Sequence, residues 1–487
     1  MNINRRSILA VSISLCLSSA AHAGGFTVTV QSASSGGTAS TNHAMAEDAS
    51  AMFYNPALLS SIEGTQINSG ISLISPDLTV TNMGSEVPSA ALGTLISGVN
   101  TAEPTSLAAT PSLYYKRDIS PHMAFGLGLN VPYGVSSEYE KDSFVRYEAT
   151  ESALTALNIN PALSWKINDQ LALGAGLNIQ YVTAILAKSV DSRLLCSGIS
   201  GGVVAGITNP AQQAGASAVA SAACGNIAVS DSATDGSSTV EATGISYGFN
   251  VGAAYRPNQT TTISVGLRSA VKHELEGDVD FEHNAALTAA LGTFGAAIGS
   301  SSDALLAGSG YLDRDATADL DLPATASLAF AKKMNSKLTL HGDVTWTDWS
   351  SVPEINVDFP VVSGSLTLDN SVTTLKWEDT VRLGAGMTYQ LSEHTKLRAG
   401  VAYDPTPTPS ELYRTPRAPK ADTLWLSVGV GHEFNKKLSL DASLAYIHIE
   451  DMKINYTSPS TTADYLTKAN AEANAISAAL SLTYKFK

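Results

Sequence analysis

Two stretches match the G-x-S-x-G pattern of a serine nucleophile: Gly244-Ile245-Ser246-Tyr247-Gly248 and Gly198-Ile199-Ser200-Gly201-Gly202. That pattern activates its serine only on a sharp strand-to-helix turn. Ser246 falls in the middle of an alternating run and Ser200 in a glycine-rich loop, so the chain is not read as an enzyme. The nine histidines are scattered, with no H-E-x-x-H or C-x-x-C spacing, and no zinc or other metal site follows from them. Asp313, Asp315, Asp319 and Asp321 crowd a loop end and have the oxygens for Ca²⁺, but a solvated acidic rim accounts for them more simply. The Gly-x-Gly pairs at 126–128, 174–176 and 384–386 lie in strand-like runs rather than before helices, so they are packing glycines and not nucleotide loops. No cofactor is expected.

The remaining chemistry is redox. Residues 1–23 have the form of an export signal: Asn4-Arg5-Arg6, an apolar run from Ile8 to Leu17, and Ala21-His22-Ala23 before a mature start at Gly24. Leu15 precedes Cys16, which argues against lipidation. Cys196 and Cys224 then remain, both in one Gly/Ala/Ser-rich stretch, and an exported compartment favours a disulfide between them over two free thiols.

These residues need elements to hold them. Loss of Arg5 and Arg6 leaves 27 Lys and Arg against 44 Asp and Glu, a net charge of −17, which excludes a nucleic-acid partner. The chain is only 15% charged and 44% hydrophobic, and no later segment offers some 20 uninterrupted apolar residues. That leaves a secreted β-protein or an outer-membrane barrel. Ile476, Ala478, Leu480, Leu482, Tyr484 and Phe486 alternate with Ser477, Ala479, Ser481, Thr483 and Lys485. Runs from Leu171 to Tyr181 and from Gly244 to Tyr255 do the same. One face is bulky and apolar with aromatic ends, and the other is small and mostly uncharged, as in a membrane-spanning strand.

Short polar turns at Lys116–His122, Lys166–Gln170, Arg256–Thr261, Lys332–Lys337, Gln390–Lys396 and His432–Lys437 alternate with long links near 82–109, 133–153, 189–242, 272–319, 350–376, 404–421 and 450–472. This alternation predicts an all-β fold, a 14-stranded antiparallel transmembrane β-barrel over 65–487. Such a barrel is too wide for its own side chains to fill. Residues 24–64 precede the first strand and are free to enter the lumen as a plug, organised around the stretch 44–57. Loops 201–223, 284–307 and 87–108 are apolar, either as a collecting surface for ligand or as helices packing on one another.

The plug carries Glu47-Asp48-Ala49-Ser50, then Asn55-Pro56-Ala57, then Gly64-Thr65, behind a mature-end Gly25-Phe26. With Pro76-Asp77, Phe144-Val145-Arg146-Tyr147, the run from Asn158 to Trp165, Lys376-Trp377 to Arg382, and Asp404-Pro405 with Pro407, this resembles the FadL-type outer-membrane transporters of long-chain fatty acids and other hydrophobic compounds. The likeness covers the mature length, and departs at Lys487, which follows the final aromatic Phe486. It implies passive, ligand-gated uptake of a fatty acid or an aromatic hydrocarbon. Capture between extracellular loops is followed by movement of the plug and lateral exit at a kink in the third strand. On that pattern Phe26 enters the inner pocket, and Asn55, Pro56 and Ala57 meet a kinked strand over Ala124–Tyr133, with Pro132 and Gly134 at its irregular end. The alternative for Pro132 is simply the end of the strand. Arg146 is a candidate for a ligand carboxylate, or else bridges to Glu148, Glu151 or lipopolysaccharide phosphate. The expected partners are the hydrophobic ligand and outer-membrane lipid and lipopolysaccharide, around a monomer. The alternative function is a general diffusion porin for small hydrophilic solutes, with an adhesive barrel third.

Overall fold

The structure, a computed structural model, describes residues 25–87, 94–360, 370–458 and 464–486. Residues 1–24, and with them the expected export signal, parts of three long links and Lys487 lie outside the described residues. Fourteen antiparallel strands close into a barrel. They are β1 (Gln66–Asn82), β2 (Ala108–Ser120), β3 (Met123–Glu138), β4 (Glu151–Lys166), β5 (Leu171–Val190) and β6 (Gly236–Asn258). Four strands run in two parts: β7 (Thr261–Arg268, Val271–Glu282), β8 (Arg314–Leu322, Thr325–Lys333), β9 (Leu338–Thr347, Glu354–Asp358) and β10 (Ser371–Thr374, Thr380–Gln390). The set ends with β11 (Thr395–Asp404), β12 (Thr423–Glu433), β13 (Leu438–Ser458) and β14 (Tyr465–Lys485). β1 pairs with β14 from Gln66↔Lys485 to Asn82↔Ala469, so the sheet has no free edge.

Side-chain polarity sets which face is outside. Leu480, Leu482 and Tyr484 are exposed on the outer surface while Ala479, Ser481 and Thr483 are buried in the lumen. Tyr247, in the alternating run of β6, is 73% exposed. Bulky apolar side chains turned outward and small polar ones inward are the reverse of a water-soluble sheet, and fit a wall bathed in hydrocarbon.

Higher up, the polarity inverts. In β7, Ile263, Val265 and Leu267 face out, but beyond Ala270 it is Val271, Leu275 and Val279 that are buried, with Glu274, Glu276, Asp278 and Asp280 exposed. β8 repeats this with Ala316, Ala318, Leu320 and Leu322 inside and Asp315 and Asp319 outside. The sheet therefore continues where the sequence suggested long links. The 272–319 link shrinks to 283–313, and the 450–472 link shrinks to the residues between Ser458 and Tyr465. A run of acids marks the end of a membrane-facing face, but here the acids are a strand's other face in water. Among the described residues no group of His, Cys, Asp or Glu is arranged to hold a metal.

The upper links fold into helices α3 (Ser192–Ala205), α4 (Pro210–Gly225), α5 (Ala285–Ile298) and α6 (Ser302–Gly308). Asp191, Asn209 and Asn284 accept from the first free N–H groups of α3, α4 and α5. Cys196 and Cys224 are bridged, with Cα atoms 5.6 Å apart, joining α3 to α4. Leu195, Ile199, Leu287, Leu291, Phe294 and Leu306 share one core, so much of the apolar content of these loops packs helix on helix. The third apolar stretch does not join them: Val87 and Ile96 bury with Phe144 and Tyr456 at another place.

Candidate functional site

Residues 25–62 run inside the barrel, with α1 (Ala33–Gly36), α2 (Ala51–Tyr54) and a 3-10 turn at Pro56–Ser61. The Asn-Pro-Ala stretch fixes this segment. Pro56 begins the turn, and Asn55 Oδ1 accepts from Ala57 N at 2.9 Å, which caps it. Asn55 Nδ2 then donates to Ala253 O (3.0 Å), Ser264 Oγ (2.6 Å) and Val265 O (3.0 Å) on β6 and β7. The wall makes room with glycine: a Cβ at Gly174 would come within 2.3 Å of Ala57 N, and one at Gly252 within 1.9 Å of Asn55 Oδ1. Asn55, Pro56 and Ala57 thus sit against β4 to β7, where the glycines make room, and the turn that they begin also packs on the kinked strand β3, with Leu59 against Gly126 and Ala57 sharing a cluster with Ala124. A charged contact holds the other side. Arg398 on β11 lies 3.1 Å from Glu47 and 2.7 Å from Asp441 on β13.

β3 is broken where Pro132 predicts. Its pairing with β4 shifts between Asn130 and Tyr133, and the strand resumes to Glu138, so Pro132 is a bulge and not the strand's end. Pairing with β2 stops at Leu113↔Leu129, although β2 stays paired with β1 up to Ala108. Glu138 N bonds to Pro104 O above. Between these points the wall has a window, and the first residues of the plug fill it. Thr27 forms an isolated antiparallel bridge with Tyr133. Val28 N donates to Pro132 O at 2.8 Å, and Gly134 N donates to Phe26 O at 2.8 Å. Gln31 Nε2 supplies the Val131 carbonyl at 3.0 Å. The backbone groups that the break frees are therefore satisfied by the N-terminal segment.

Phe26 is buried against Trp377 (ring centroids 4.9 Å) and Trp349 (6.0 Å). Beside it is an inner cavity of about 100 Å³. Its lining mixes Trp349 and Tyr133 with Thr29, His43, Arg268 and Arg382. Arg382 Nε, Thr29 Oγ1 and both ring nitrogens of His43 are buried there without a hydrogen bond. A second, outer cavity of about 120 Å³ has Phe281, Val357, Lys188 and Arg417 on its walls.

Arg146 lines neither cavity. It is fully buried above the wall, with Nε 2.7 Å from Asp235 Oδ2. Its Nη1 donates to Ser97 O and Ser143 O, and its Nη2 to Tyr147 OH and Ser230 Oγ. The ion pair is with Asp235 rather than the nearby Glu148 or Glu151, because the return of the chain from α4 brings residues 230–235 onto it. Burial lifts the Asp235 carboxyl to about 6 against the pull of Arg146. This cluster ties three upper segments together, around Ser97, Arg146 and Asp235.

Nothing local in residues 405–422 marks their path. They form a strap that leaves the top of β11, crosses the upper bore and returns to β12, with Pro407, Thr415, Pro416, Arg417 and Lys420 buried. Ser137 Oγ on β3 donates to Arg417 O, and Tyr139 OH donates to Pro416 O, both at 2.8 Å. Burial pushes the Lys420 amine down to about 7, with Asp404 opposing.

In keeping with a closed barrel that holds its own N-terminal segment, residues 14–486 match the profile of the outer membrane protein transport proteins (OMPP1/FadL/TodX). The chain belongs to this family. It is similar to a putative outer membrane protein of Neisseria meningitidis, 28% identical over 477 residues covering 96% of this chain and 95% of that one. It is also similar to the long-chain fatty acid transport protein of Escherichia coli K12, 26% identical with 92% and 93% covered. The fold of this family member matches the crystal structure of a Pseudomonas aeruginosa FadL homologue, with TM-score 0.79, 23% identity, and 95% and 100% of the two chains covered. Family membership makes the chain an outer-membrane transport protein and not an enzyme.

Proposed function

We propose that this protein takes up long-chain fatty acids or other hydrophobic compounds passively, that ligand binding moves the N-terminal segment, and that the ligand leaves sideways between β2 and β3. The observation that carries this reading is the occupation of the break in β3 by residues 26–31. Ligand in the inner cavity competes with Phe26 for Trp349 and Trp377. Displacing Phe26 removes the partners of Pro132, Val131 and Gly134, and the window opens to the membrane.

The energetics suit a gate. The closing segment contributes three hydrogen bonds at about 1 kcal/mol each and the burial of one Phe at about 2 kcal/mol. A sum near 5 kcal/mol matches the differential affinity that takes a two-state element from mostly closed to mostly open. Asn55 and Arg398 retain the rest of the plug, so only its first residues need to move.

The test is uptake of radiolabelled oleate by cells lacking their own fatty-acid transporter, with full-length protein beside a variant lacking 24–57. Saturable uptake that requires the deleted segment is expected. A correctly inserted barrel that takes up neither oleate nor a monoaromatic hydrocarbon overturns the reading. Steady ion conductance from that barrel would move the function to a porin.

A further inference from the structure

One sector of the lower rim carries a charge that movement of a hydrophobe through the lumen does not use. In a chain with 29 Lys and Arg against 44 Asp and Glu, the turns 332–337, 391–396 and 433–437 together with Lys485 hold seven lysines against two acids, Glu393 and Glu433. The lysines are Lys332, Lys333, Lys337, Lys396, Lys436, Lys437 and Lys485. The three turns close β8 on β9, β10 on β11 and β12 on β13. Backbone hydrogen bonds stitch them into one continuous run: Gln390 N donates to Lys337 O at 2.7 Å, Glu433 N to His394 O at 2.8 Å, and Lys485 N to Lys437 O at 2.7 Å. All seven lysines are exposed or half-buried, and none forms an ion pair with a described residue. Elsewhere on the rim, Lys116 and Lys166 meet Asp118 and Asp169. The unpaired cations are thus gathered under β8 to β14.

The neighbours of these lysines point to a lipid surface. Each turn sets an exposed apolar side chain beside its charge: Met334, Leu391 and Phe434, with Phe486 next to Lys485. On β8, Lys332 follows Leu328 and Phe330 on the outward face, which puts its ammonium just below side chains bathed in hydrocarbon. A lysine stem lies along such a surface with its head at the depth of the lipid phosphates. A protein docked beneath the barrel would touch the tips of the turns but not this outward face. At the other end of β7 and β8 the outward residues are Glu274, Glu276, Asp315 and Asp319, so the two ends of the wall are opposite in charge. Short turns of an outer-membrane barrel face the periplasm, which sets the cationic end against the inner leaflet.

We propose that the turns under β8 to β14 bind anionic phospholipid headgroups of the inner leaflet in preference to zwitterionic ones. A lysine is a compact point charge on a flexible stem, suited to a phosphodiester that carries net negative charge. A zwitterionic headgroup brings its own cation, which offsets the attraction. Met334, Leu391, Phe434 and Phe486 lie against the acyl chains of the same lipids. The binding surface is independent of which hydrophobe crosses the barrel.

The experiment reconstitutes purified full-length protein in phosphatidylcholine bilayers and measures, by electron spin resonance, how far spin-labelled phosphatidylglycerol is enriched at the protein over spin-labelled phosphatidylcholine. Wild type is compared with a lower-rim variant, Lys332→Gln, Lys333→Gln, Lys436→Gln and Lys437→Gln together. A control loses the same charge from the upper end: Lys141→Gln, Lys272→Gln, Lys376→Gln and Lys453→Gln. Barrel integrity is scored separately by electrophoretic migration with and without heating. Wild type is expected to enrich phosphatidylglycerol about threefold at 0.1 M salt and to lose that enrichment at 1 M, where the Debye length is about 3 Å. The lower-rim variant should fall close to no preference, its Lys→Arg counterpart should keep the preference, and the upper control should match wild type. A preference that persists in the intact lower-rim variant, or that falls equally in the control, overturns the proposal. No preference in wild type also overturns it, and leaves an acidic periplasmic protein as the partner that the patch would fit.

Discussion

Thr27 and Tyr133 are joined by a single antiparallel bridge at the place where β3 loses its regular neighbour. Tyr133 is held on its other side by a hydrogen bond from its hydroxyl to Pro323 O at 2.9 Å. The bridge is therefore built on a fixed residue and a detachable one. Phe26→Ala removes the ring that keeps the detachable side seated, at a cost of about 3 kcal/mol. Amide exchange at Val28 and Gly134 should accelerate by about two orders of magnitude while exchange in β13 and β14 stays slow. Unchanged protection at Gly134 would mean that the window is closed by something other than this segment.

Asn55 is the opposite kind of contact, a rivet. Asn55→Ala loses three acceptor contacts and a cap, and should destabilise the seating of the plug by about 2–4 kcal/mol. In planar bilayers the wild type should be nearly silent, because the lumen is filled. The variant should show open-channel events. Wild-type conductance of porin size would contradict a stationary plug.

The Cys196–Cys224 bridge closes a loop with a sequence separation of 28. On the chain-entropy model it stabilises the helical cap by about 3.5 kcal/mol. Cys196→Ala with Cys224→Ala should speed proteolysis in the 206–209 link of intact cells. Heat-dependent migration of the barrel should not change, since none of its strands includes either residue.

Lys420 gives the strap a pH dependence. Its folded pKa of about 7 lies below the unfolded value near 10.4, so the penalty of burying its charge is fully present below pH 7 and is relieved as pH rises from there towards about 10.5. Lys420→Met should thus protect the strap more at pH 6 than at pH 8.5, by roughly 2 kcal/mol of local stability. Limited proteolysis at the two pH values measures it, and equal protection would show that the amine stays solvated.

Alternation in β14, in the run at 171–181 and in β6 made the barrel legible, because membrane strands expose their bulky face and the short turns repeat. The plug was legible from its position before the first strand and from barrel width. Partnerships across the bore were not. Arg146 had acids two and five residues away, and nothing local pointed to Asp235 instead. Gln31, Trp349 and Trp377 carry no motif; their roles come from register and from the path of the plug. The strap's prolines were visible, but proline says only that a segment is stiff, not that it turns inward.

The exchange of faces along β7 and β8 has a consequence for how the molecule sits in its bilayer. Below Ala270 a strand is comfortable only in hydrocarbon, and above it only in water. Sliding down would press Glu274, Asp319 and their neighbours into lipid, and rising would strand Leu267 and Val265 in the aqueous phase. The barrel is thus its own depth gauge. The break at Asn130–Gly134 of β3 is held at a set height in the bilayer with it, and on the proposed lateral route a ligand would always leave at that level.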